Sequence, residues 1–307
     1  MIQNQDVKKL IVTSEGAAQR LDTYLNTVLG SEGPTRSQIK NHIDNGRVLI
    51  DGNIVKAGYK LKEGSLIELE PFEEPVSQLT PENLPVDIIY EDDDIIVINK
   101  EQGMVVHPGS GNKTGTLVNA LLFSTKIDGG EDLRPGIVHR IDKNTSGLLV
   151  IAKNVKSHEI LSRQIKERTV KREYLAVCHG VFKNISDTLE TQIGRHSKDR
   201  TKMAVVKAPA GKAAVTHYTV LKQGTKFALV HFRLETGRTH QIRVHAAHIG
   251  HVVAGDDVYG SSVKPKGSLG QLLHAHILSF THPSTGKQLS FKTNSPKYFE
   301  DFCAVHI

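Results

Sequence analysis

A single carboxylate in a charged loop is the first feature of this sequence that could carry chemistry. Asp142 lies in the segment HRIDKNTSG (139–147), which the apolar run LLVIA follows at once. A loop that is bounded by buried strands can hold a carboxylate in a fixed place and leave it accessible. Arg140 and Lys143 flank Asp142 and favour a negative charge there. The pattern alone also fits a turn residue that pairs with a neighbouring group.

Two later segments supply an aromatic ring and arginines that could act with such a carboxylate. Tyr174 lies in the strand-like segment KREYLAVCHG (171–180), where a tyrosine is either a core residue or a ring available for stacking. Arg238 and Arg243 lie in TGRTHQIRVH (236–245). An arginine can keep a buried carboxylate ionised, or it can simply add positive charge at a helix start. The pattern leaves both interpretations open.

Four histidines in and after the last of these segments raise the question of a metal site. Their spacing matches no common zinc pattern, and neither a cysteine nor a glutamate of the HExxH type accompanies them. We therefore predict no metal centre at His240, His245, His248 and His251.

The elements that must position these residues belong to a sheet-rich domain. The segment IIYEDDDIIVINK (88–100) has two apolar runs around an acidic turn, which predicts a β-hairpin. Further short, β-branched segments separated by turn residues predict more strands. Helical spacing of apolar residues predicts helices in TLVNALLF, SHEILSRQIKER and THQIRVHAAHIG. We predict an α+β domain over residues 88–307.

A small helix–helix–hairpin module precedes this domain, over residues 1–74. Apolar spacing predicts one helix from about Arg20 and a second in SQIKNHIDNG (37–46). Asp51-Gly52 between apolar runs predicts a tight hairpin, and LIELE (66–70) predicts a strand. The exposed face of the module carries four basic residues, which form either a solvated helix face or an RNA-binding surface. They are Arg20, Arg36, Lys40 and Arg47.

The stretch between module and domain, PFEEPVSQLTPENLPV (71–86), contains four prolines. Proline fixes φ and removes a backbone donor, so this stretch fits neither a helix nor a central strand. We predict a linker at residues 75–87.

The composition limits the classes of function. The chain has 307 residues and a formal charge of +6, which favours polyanionic partners such as nucleic acid. Its two cysteines, Cys178 and Cys303, are too few for a disulfide framework, which fits a cytoplasmic protein. The N-terminus lacks the apolar core of a secretory signal, and no stretch is apolar enough to span a bilayer, so we expect no membrane function.

Three segments, in order, resemble the motifs of the large-subunit ribosomal RNA pseudouridine synthases of the RluA/RluD type. HRIDKNTSG is similar to their signature His-Arg-(Leu/Ile)-Asp-(Lys/Arg)-x-Thr-(Ser/Thr)-Gly, and KREYLAVCHG resembles their active-site tyrosine segment. LETGRTHQIRVHAAHIGHVVAGDDVYG (234–260) resembles their Thr-Gly-Arg-Thr-His-Gln-Ile-Arg-x-His motif and the Gly-Asp sequence beyond it. The N-terminal module resembles the RNA-binding module of a small-subunit ribosomal protein and is S4-like. The resemblance covers nearly the whole chain.

The resemblance implies a mixed-sheet catalytic domain that isomerises uridine to pseudouridine in RNA. Asp142 would be the catalytic carboxylate, Arg243 its salt-bridge partner, and Tyr174 the ring that stacks on the target base. The reaction breaks the N1–C1′ bond and joins C5 to C1′ without redox change, so the resemblance implies no cofactor. The residues that would contact RNA are Arg140, Arg238 and His240, together with the basic residues of the module.

The resemblance also implies a monomer whose partner is 23S ribosomal RNA or the precursor of the large ribosomal subunit, with helix 69 as the first site to examine. Two other functions stay open. A non-catalytic RNA-binding factor for ribosome assembly could share the fold, although it would be expected to have lost the carboxylate. A nucleoside or glycoside hydrolase would use two carboxylates, with Asp256 or Asp257 as the second.

Overall fold

A computed structural model describes residues 7–30, 34, 36–72, 79–109, 112–127, 135–199 and 201–307. The chain divides into two compact units, Met1–Ser77 and Gln78–Ile307. Residues 75–78 of the predicted linker lie outside the described ranges. The boundaries predicted for the module, the linker and the catalytic domain therefore stay a proposal.

The N-terminal unit packs two helices on a four-stranded antiparallel sheet of order β1-β4-β2-β3. Both predicted helices, the hairpin and the LIELE strand are confirmed, whereas β1 was not predicted. The hairpin turns at Asp51 and Gly52, whose φ angles are 51° and 75°, so both adopt the left-handed conformation that a tight two-residue turn requires. The elements are β1 (Lys8–Ile11), α1 (Leu21–Val28), α2 (Arg36–Asp44), β2 (Val48–Ile50), β3 (Asn53–Ile54) and β4 (Leu66–Leu69).

The core of this unit follows from the helical spacing of its apolar residues. Leu21 and Leu25 on α1 are fully buried, as are Ile39 and Ile43 on α2. Residues four apart lie on one face of a helix, so each pair packs against the sheet. The opposite faces are left for polar and basic side chains.

The C-terminal unit is built on one large sheet. The sheet has ten strands in the order β10-β9-β11-β12-β8-β13-β7-β6-β5, with β14 paired to β13 off this path. The β13–β7 pair is parallel and the other pairs are antiparallel, so the sheet is mixed. Its strands are β5 (Asp87–Glu91), β6 (Ile95–Lys100), β7 (Ser146–Ala152), β8 (Lys171–His179), β9 (Ser186–Arg195), β10 (Met203–Val206), β11 (Lys212–Gln223), β12 (Phe227–Leu234), β13 (Leu273–Thr281) and β14 (Gln288–Lys292).

The helices of this unit are α3 (Leu117–Ser124), α4 (Val155–Lys166), α5 (Gln241–His248) and α6 (Lys297–His306). The first three confirm the predicted helices, whereas α6 was not predicted. Within the described ranges, no helix is long and apolar enough to cross a membrane. Together the two units confirm the predicted α+β fold class.

Strand β7 is the rigid support for the loop that carries Asp142. Every residue of β7 is buried. Because alternate side chains point to opposite faces of a strand, Leu149 and Ile151 join one core cluster while Leu148 and Val150 join another. Each fully buried side chain of this size contributes roughly 1.5–3 kcal/mol to folding. The chain on the C-terminal side of the loop is therefore firmly fixed.

Candidate active site

Asp142 lies in the loop that leads into β7, and its side chain is 19% exposed. The loop is closed by its own backbone, since the amide of Thr145 donates to the carbonyl of Asp142 at 3.1 Å. At its end, Gly147 has a φ of 112°, and a Cβ there would clash with the carbonyl oxygen of Ala275 on β13. Glycine is thus required where the loop passes into the parallel strand pair.

Lys100, the last residue of β6, holds the same loop by a hydrogen bond to its backbone. It is 2% exposed, and its Nζ donates to the carbonyl of Lys143 at 3.1 Å and to those of Glu101 and Met104 at 2.6 and 2.9 Å. Burial lowers the pKa of Lys100 to about 7, and the charge of Asp142 opposes that shift. Three carbonyl acceptors fit the ammonium form, which has three N–H donors.

Arg243 on α5 joins Asp142 to a second, fully buried carboxylate. Its Nη1 donates to Asp142 Oδ2 at 3.0 Å, which is the pairing that the sequence predicts. Its Nε and Nη2 donate to Asp256 Oδ2 and Oδ1 at 2.6 and 2.8 Å. Burial alone would lower the pKa of Arg243, but the hydrogen bonds to Asp256 and the charge of Asp142 raise it above its ordinary value. The guanidinium is therefore a fixed positive charge beside Asp142.

The buried side chain of Gln241 links the turn before α5 to strand β11, and so it positions the helix that carries Arg243. Gln241 Oε1 accepts from the amide of Arg238 at 2.9 Å and from the hydroxyl of Thr236 at 2.8 Å. Its Nε2 donates to the carbonyl of Val215 and to the hydroxyl of Thr216 on β11 at 3.0 and 2.9 Å. One amide side chain thus fixes the first turn of the helix against the sheet.

Asp142 and Tyr174 line one cavity of about 410 Å³ in the C-terminal unit. This volume is within the range of small-molecule sites, so the cavity can take one nucleotide. Tyr174 on β8 is 7% exposed, and burial raises the pKa of its hydroxyl, an effect that the charge of Arg172 opposes. The hydroxyl is therefore protonated at neutral pH, and the structure brings it to the same space as the carboxylate.

The residues predicted to contact RNA near the site also line this cavity. Arg140 is exposed, and Arg238 donates from Nε to the carbonyl of Ala213 at 3.0 Å. His240 lies with Nε2 4.0 Å from Asp142 Oδ1 and with Nδ1 3.0 Å from the Tyr259 hydroxyl. Burial lowers the pKa of His240, and the charge of Asp142 opposes this shift.

Two of the four basic residues of the N-terminal unit form ion pairs with Asp22, a residue that the sequence analysis did not single out. Asp22 accepts from Arg20 Nε at 2.9 Å and from Arg36 Nη2 at 3.3 Å. The hydrogen bond from Arg20 lowers the pKa of Asp22 to about 2. The side chains of Arg20 and Arg36 are still 55% and 63% exposed. Lys40 is exposed, and Arg47 is half-buried.

The structure argues against the hydrolase alternative, because neither candidate for the second carboxylate is available in the cavity. Asp256 is 0% exposed and both of its oxygens are held by Arg243, so it cannot reach a substrate. Asp257 is exposed but does not line the cavity. Asp256 instead holds Arg243 in place, a role that its position in the sequence did not reveal.

Among the described residues, one grouping has the composition of a metal site, namely Asp92, Asp94 and His282. His282 Nδ1 accepts from the amides of Ser284 and Thr285, which places the ring proton on Nε2. That nitrogen lies 2.8 Å from Asp92 Oδ2 and donates to it. The hydrogen bonds of His282 explain why these three residues lie together: they link the loop of Asp92 to the loop after β13.

Sequence reasoning missed Lys100 and Tyr259 as site residues, and it considered Asp256 only as the second carboxylate of a hydrolase. The ring centroid of Tyr259 lies 5.3 Å from Arg243 Cζ, which adds a cation–π contact to the arginine. A lysine at the end of a mostly apolar strand, as in IIVINK (95–100), is the one signal that could have pointed to Lys100. The contacts of Asp256 and Tyr259 depend on the fold of the turn after α5.

Comparison with protein families identifies both units. Residues 94–248 match the family model of RNA pseudouridylate synthase, and residues 19–67 match that of the S4 domain. A solved structure, human RNA pseudouridylate synthase domain containing 1, aligns with a TM-score of 0.57 at 28% identity, over 70% of this chain and 85% of that one.

Similar proteins match almost from end to end. An uncharacterized RNA pseudouridine synthase, YlyB, of Bacillus subtilis (strain 168) is 43% identical, over 94% of each chain. The ribosomal large subunit pseudouridine synthase D of Neisseria meningitidis serogroup B (strain ATCC BAA-335 / MC58) is 44% identical, over 94% of this chain and 78% of that protein. The chain therefore belongs to the RNA pseudouridylate synthase family, and it is an isomerase with an S4 domain in its N-terminal unit.

Proposed function

We propose that this enzyme converts specific uridines of 23S ribosomal RNA to pseudouridine, with Asp142 as the catalytic carboxylate. The observation that carries the proposal is the chain of ion pairs from Asp256 through Arg243 to Asp142. It holds one partly exposed carboxylate at the wall of a cavity of nucleotide size. Isomerisation needs such a group next to the sugar and the base, as nucleophile or proton acceptor.

The proposal gives a role to each of three side chains that line the cavity. Arg243 fixes the carboxylate of Asp142 in the cavity through a charge-assisted hydrogen bond. Tyr174 offers its ring for stacking on the extruded base and its protonated hydroxyl near the reacting edge. Extrusion of a nucleotide costs a few kcal/mol, and Arg140 at the rim of the cavity would contact the RNA backbone that surrounds the vacated position.

The choice of 23S ribosomal RNA rests on the relatives. The protein of Neisseria meningitidis serogroup B is named for the large ribosomal subunit. The S4 domain, with exposed Arg20, Arg36 and Lys40, fits an enzyme that must dock on a large RNA. A ribosomal substrate places the enzyme in the cytoplasm. We expect a monomer, because one chain contributes Asp142, Tyr174, Arg243 and Asp256 to the cavity or its support.

Mapping of pseudouridines in total RNA, from cells with and without this protein, tests the proposal. We expect one or a few positions of 23S ribosomal RNA to lose pseudouridine when the protein is absent, and to regain it when the wild-type gene is restored. Loss at transfer RNA positions alone would overturn the assignment to 23S ribosomal RNA. An unchanged pseudouridine map would favour the assembly factor, and release of free uracil in vitro would favour a hydrolase.

A further inference from the structure

Arg172 is a buried arginine in the wall of the active-site cavity that the reaction described above does not use. It lies on β8, is 6% exposed, and lines the same cavity as Asp142 and Tyr174. Residues two apart on a strand point to the same face at a spacing of about 6.6 Å. Arg172 and Tyr174 therefore stand side by side on the cavity wall.

The guanidinium of Arg172 lacks the partners that a buried charge requires. Within the described part of the chain it forms no ion pair with a carboxylate, and its buried Nε has no hydrogen-bond partner. Among the described residues, the one hydrogen bond of its side chain is long, at 3.5 Å from Nη2 to the carbonyl of Glu235. Burial of an unpaired charge costs folding free energy, so such a group is expected to have a partner that arrives from outside.

The neighbours of Arg172 leave room for its guanidinium and add donors around it. A Cβ at Gly237 would lie 2.6 Å from Arg172 Nη1, so glycine is needed there for the arginine to take this position. His139, which also lines the cavity, accepts a hydrogen bond at Nε2 from the amide of Val150. The ring proton of His139 is therefore on Nδ1. Lys166 and Arg168 line the cavity as well. The cavity lining holds six Lys and Arg side chains against two carboxylates, those of Asp142 and Glu235, so its net charge favours an anionic acceptor.

We propose that Arg172 binds a phosphodiester group next to the target uridine and so fixes the extruded nucleotide in the cavity. This inference rests on the proposed function, in which Tyr174 stacks on the base. Arg172 and Tyr174 are two residues apart on β8, so their backbones are about 6.6 Å apart, and a phosphate bound to Arg172 would lie within one nucleotide of the stacked base. The phosphate supplies the negative charge that Arg172 lacks, and planar guanidinium groups pair well with phosphate oxygens.

The test compares Arg172→Gln with Lys171→Gln in the full-length enzyme. Lys171 is the preceding residue, is exposed and does not line the cavity, so its replacement removes the same charge from the same strand. On an unmodified 23S ribosomal RNA transcript, Arg172→Gln should lower kcat/KM by roughly tenfold or more. Its log–log salt slope for equilibrium binding should be smaller by about 0.7, the value for one single-strand phosphate contact. Lys171→Gln should change kcat/KM less than about twofold.

The melting temperature separates this role from a structural one. Arg172→Gln should be at least as stable as the wild type, because the folded state loses an unpaired buried charge. A lower melting temperature with unchanged activity per folded molecule would overturn the proposal. So would an equal loss in both variants, or a loss of activity with an unchanged salt slope, which would indicate a neutral acceptor such as a uracil carbonyl. If the wild type forms no pseudouridine, the proposed function fails, while the binding slopes still test Arg172.

Discussion

The position of Asp142 depends on two side chains that are distant from it in sequence. Arg243 contacts both carboxylates, but Asp256 holds it with two hydrogen bonds and Asp142 with one. Removal of Arg243 alone would leave the buried carboxylate of Asp256 without its charged partner, which costs about 3–5 kcal/mol. A test of the effect of Arg243 on Asp142 must therefore remove the charge of Asp256 as well.

The double variant Arg243→Met/Asp256→Asn should lower kcat by roughly tenfold or more on an RNA that it still binds. It removes the charge-assisted hydrogen bond to Asp142 without leaving Asp256 as an uncompensated buried charge. Asp256→Asn alone keeps the guanidinium beside Asp142 and should lose less activity. Equal rates in all three proteins would show that Arg243 does not act on the essential carboxylate.

Sequence reasoning reached Asp142, Tyr174 and Arg243 because three motifs stand in the order of a known family. It could not assign Asp256, since Asp256 and Asp257 are adjacent and identical, and only the fold shows which one is buried. It also did not single out Arg172, which lies in the basic segment TVKR (169–172). A charged residue is rarely buried, so a pattern of basic residues gives no sign that one of them lines a cavity.

At the scale of elements, the loop between the isolated bridge at Ile137 and β7 is held by Lys100 from β6. Lys100→Met keeps most of the side-chain length but removes three donors to backbone carbonyls. Each buried carbonyl that loses its donor costs roughly 1–3 kcal/mol, so we expect a loss of at least about 2 kcal/mol in urea unfolding. The activity that remains per folded molecule should also fall, because Lys143, next to Asp142, loses its anchor. Stability equal to that of the wild type would contradict this role.

Two buried histidines join elements of the large sheet in their neutral form. His245 on α5 lies 2.8 Å from the hydroxyls of Thr191 and Thr216, and His274 on β13 lies 2.9 Å from Ser146 and 3.0 Å from Thr293. Burial lowers the pKa of each to about 4 from an ordinary value of 6.5. In the folded state these rings bind protons only at low pH.

The C-terminal unit should therefore lose stability as the pH falls from about 6.5 to about 4. In that window the unfolded chain binds protons at both histidines and the folded chain does not, so acid favours unfolding. Urea unfolding at several pH values measures this dependence, which should be several kcal/mol in total. His274→Gln should reduce the dependence, whereas His306→Gln, at an exposed site on α6, should leave it nearly unchanged. A flat stability profile across this window in the wild type would refute the assignment.

Sequence reasoning predicted the hairpin β5–β6 from its two apolar runs and the helices α3, α4 and α5 from the spacing of their apolar residues. Strand β9 was missed because it is mostly exposed or half-buried and contains many polar side chains, and β10 was missed because its apolar run is only four residues long. The order of strands could not be predicted, since the parallel pairing of β13 with β7 joins residues such as His274 and Ser146 that are far apart in the chain.

For the whole molecule, the question is what the N-terminal unit adds to catalysis. Deletion of residues 1–77 removes Arg20, Arg36, Lys40 and Arg47 but none of the residues of the cavity. The remaining unit has its own core, so we expect it to fold. Binding to 23S ribosomal RNA should weaken, and the log–log salt slope should fall by about 0.7–0.9 for each lost phosphate contact.

Turnover at saturating RNA should fall less than kcat/KM, because the unit supplies docking rather than chemistry. A matched control is the full-length variant Lys40→Gln, which keeps the unit and the ion pairs of Asp22 but removes one exposed charge. Full-length and truncated enzymes with the same affinity and the same salt slope would contradict a docking role. The unit would then be assigned to a protein partner.

The central claim, that Asp142 carries out the isomerisation, is tested most directly by Asp142→Asn. Asparagine keeps the volume of the side chain but lacks the ionised oxygen that the reaction requires. The measurement is the yield of pseudouridine in a 23S ribosomal RNA transcript, with the melting temperature and RNA affinity of the same preparation as controls. We predict no detectable pseudouridine from a folded variant that still binds RNA. Turnover of more than a few per cent of the wild-type rate would contradict the claim.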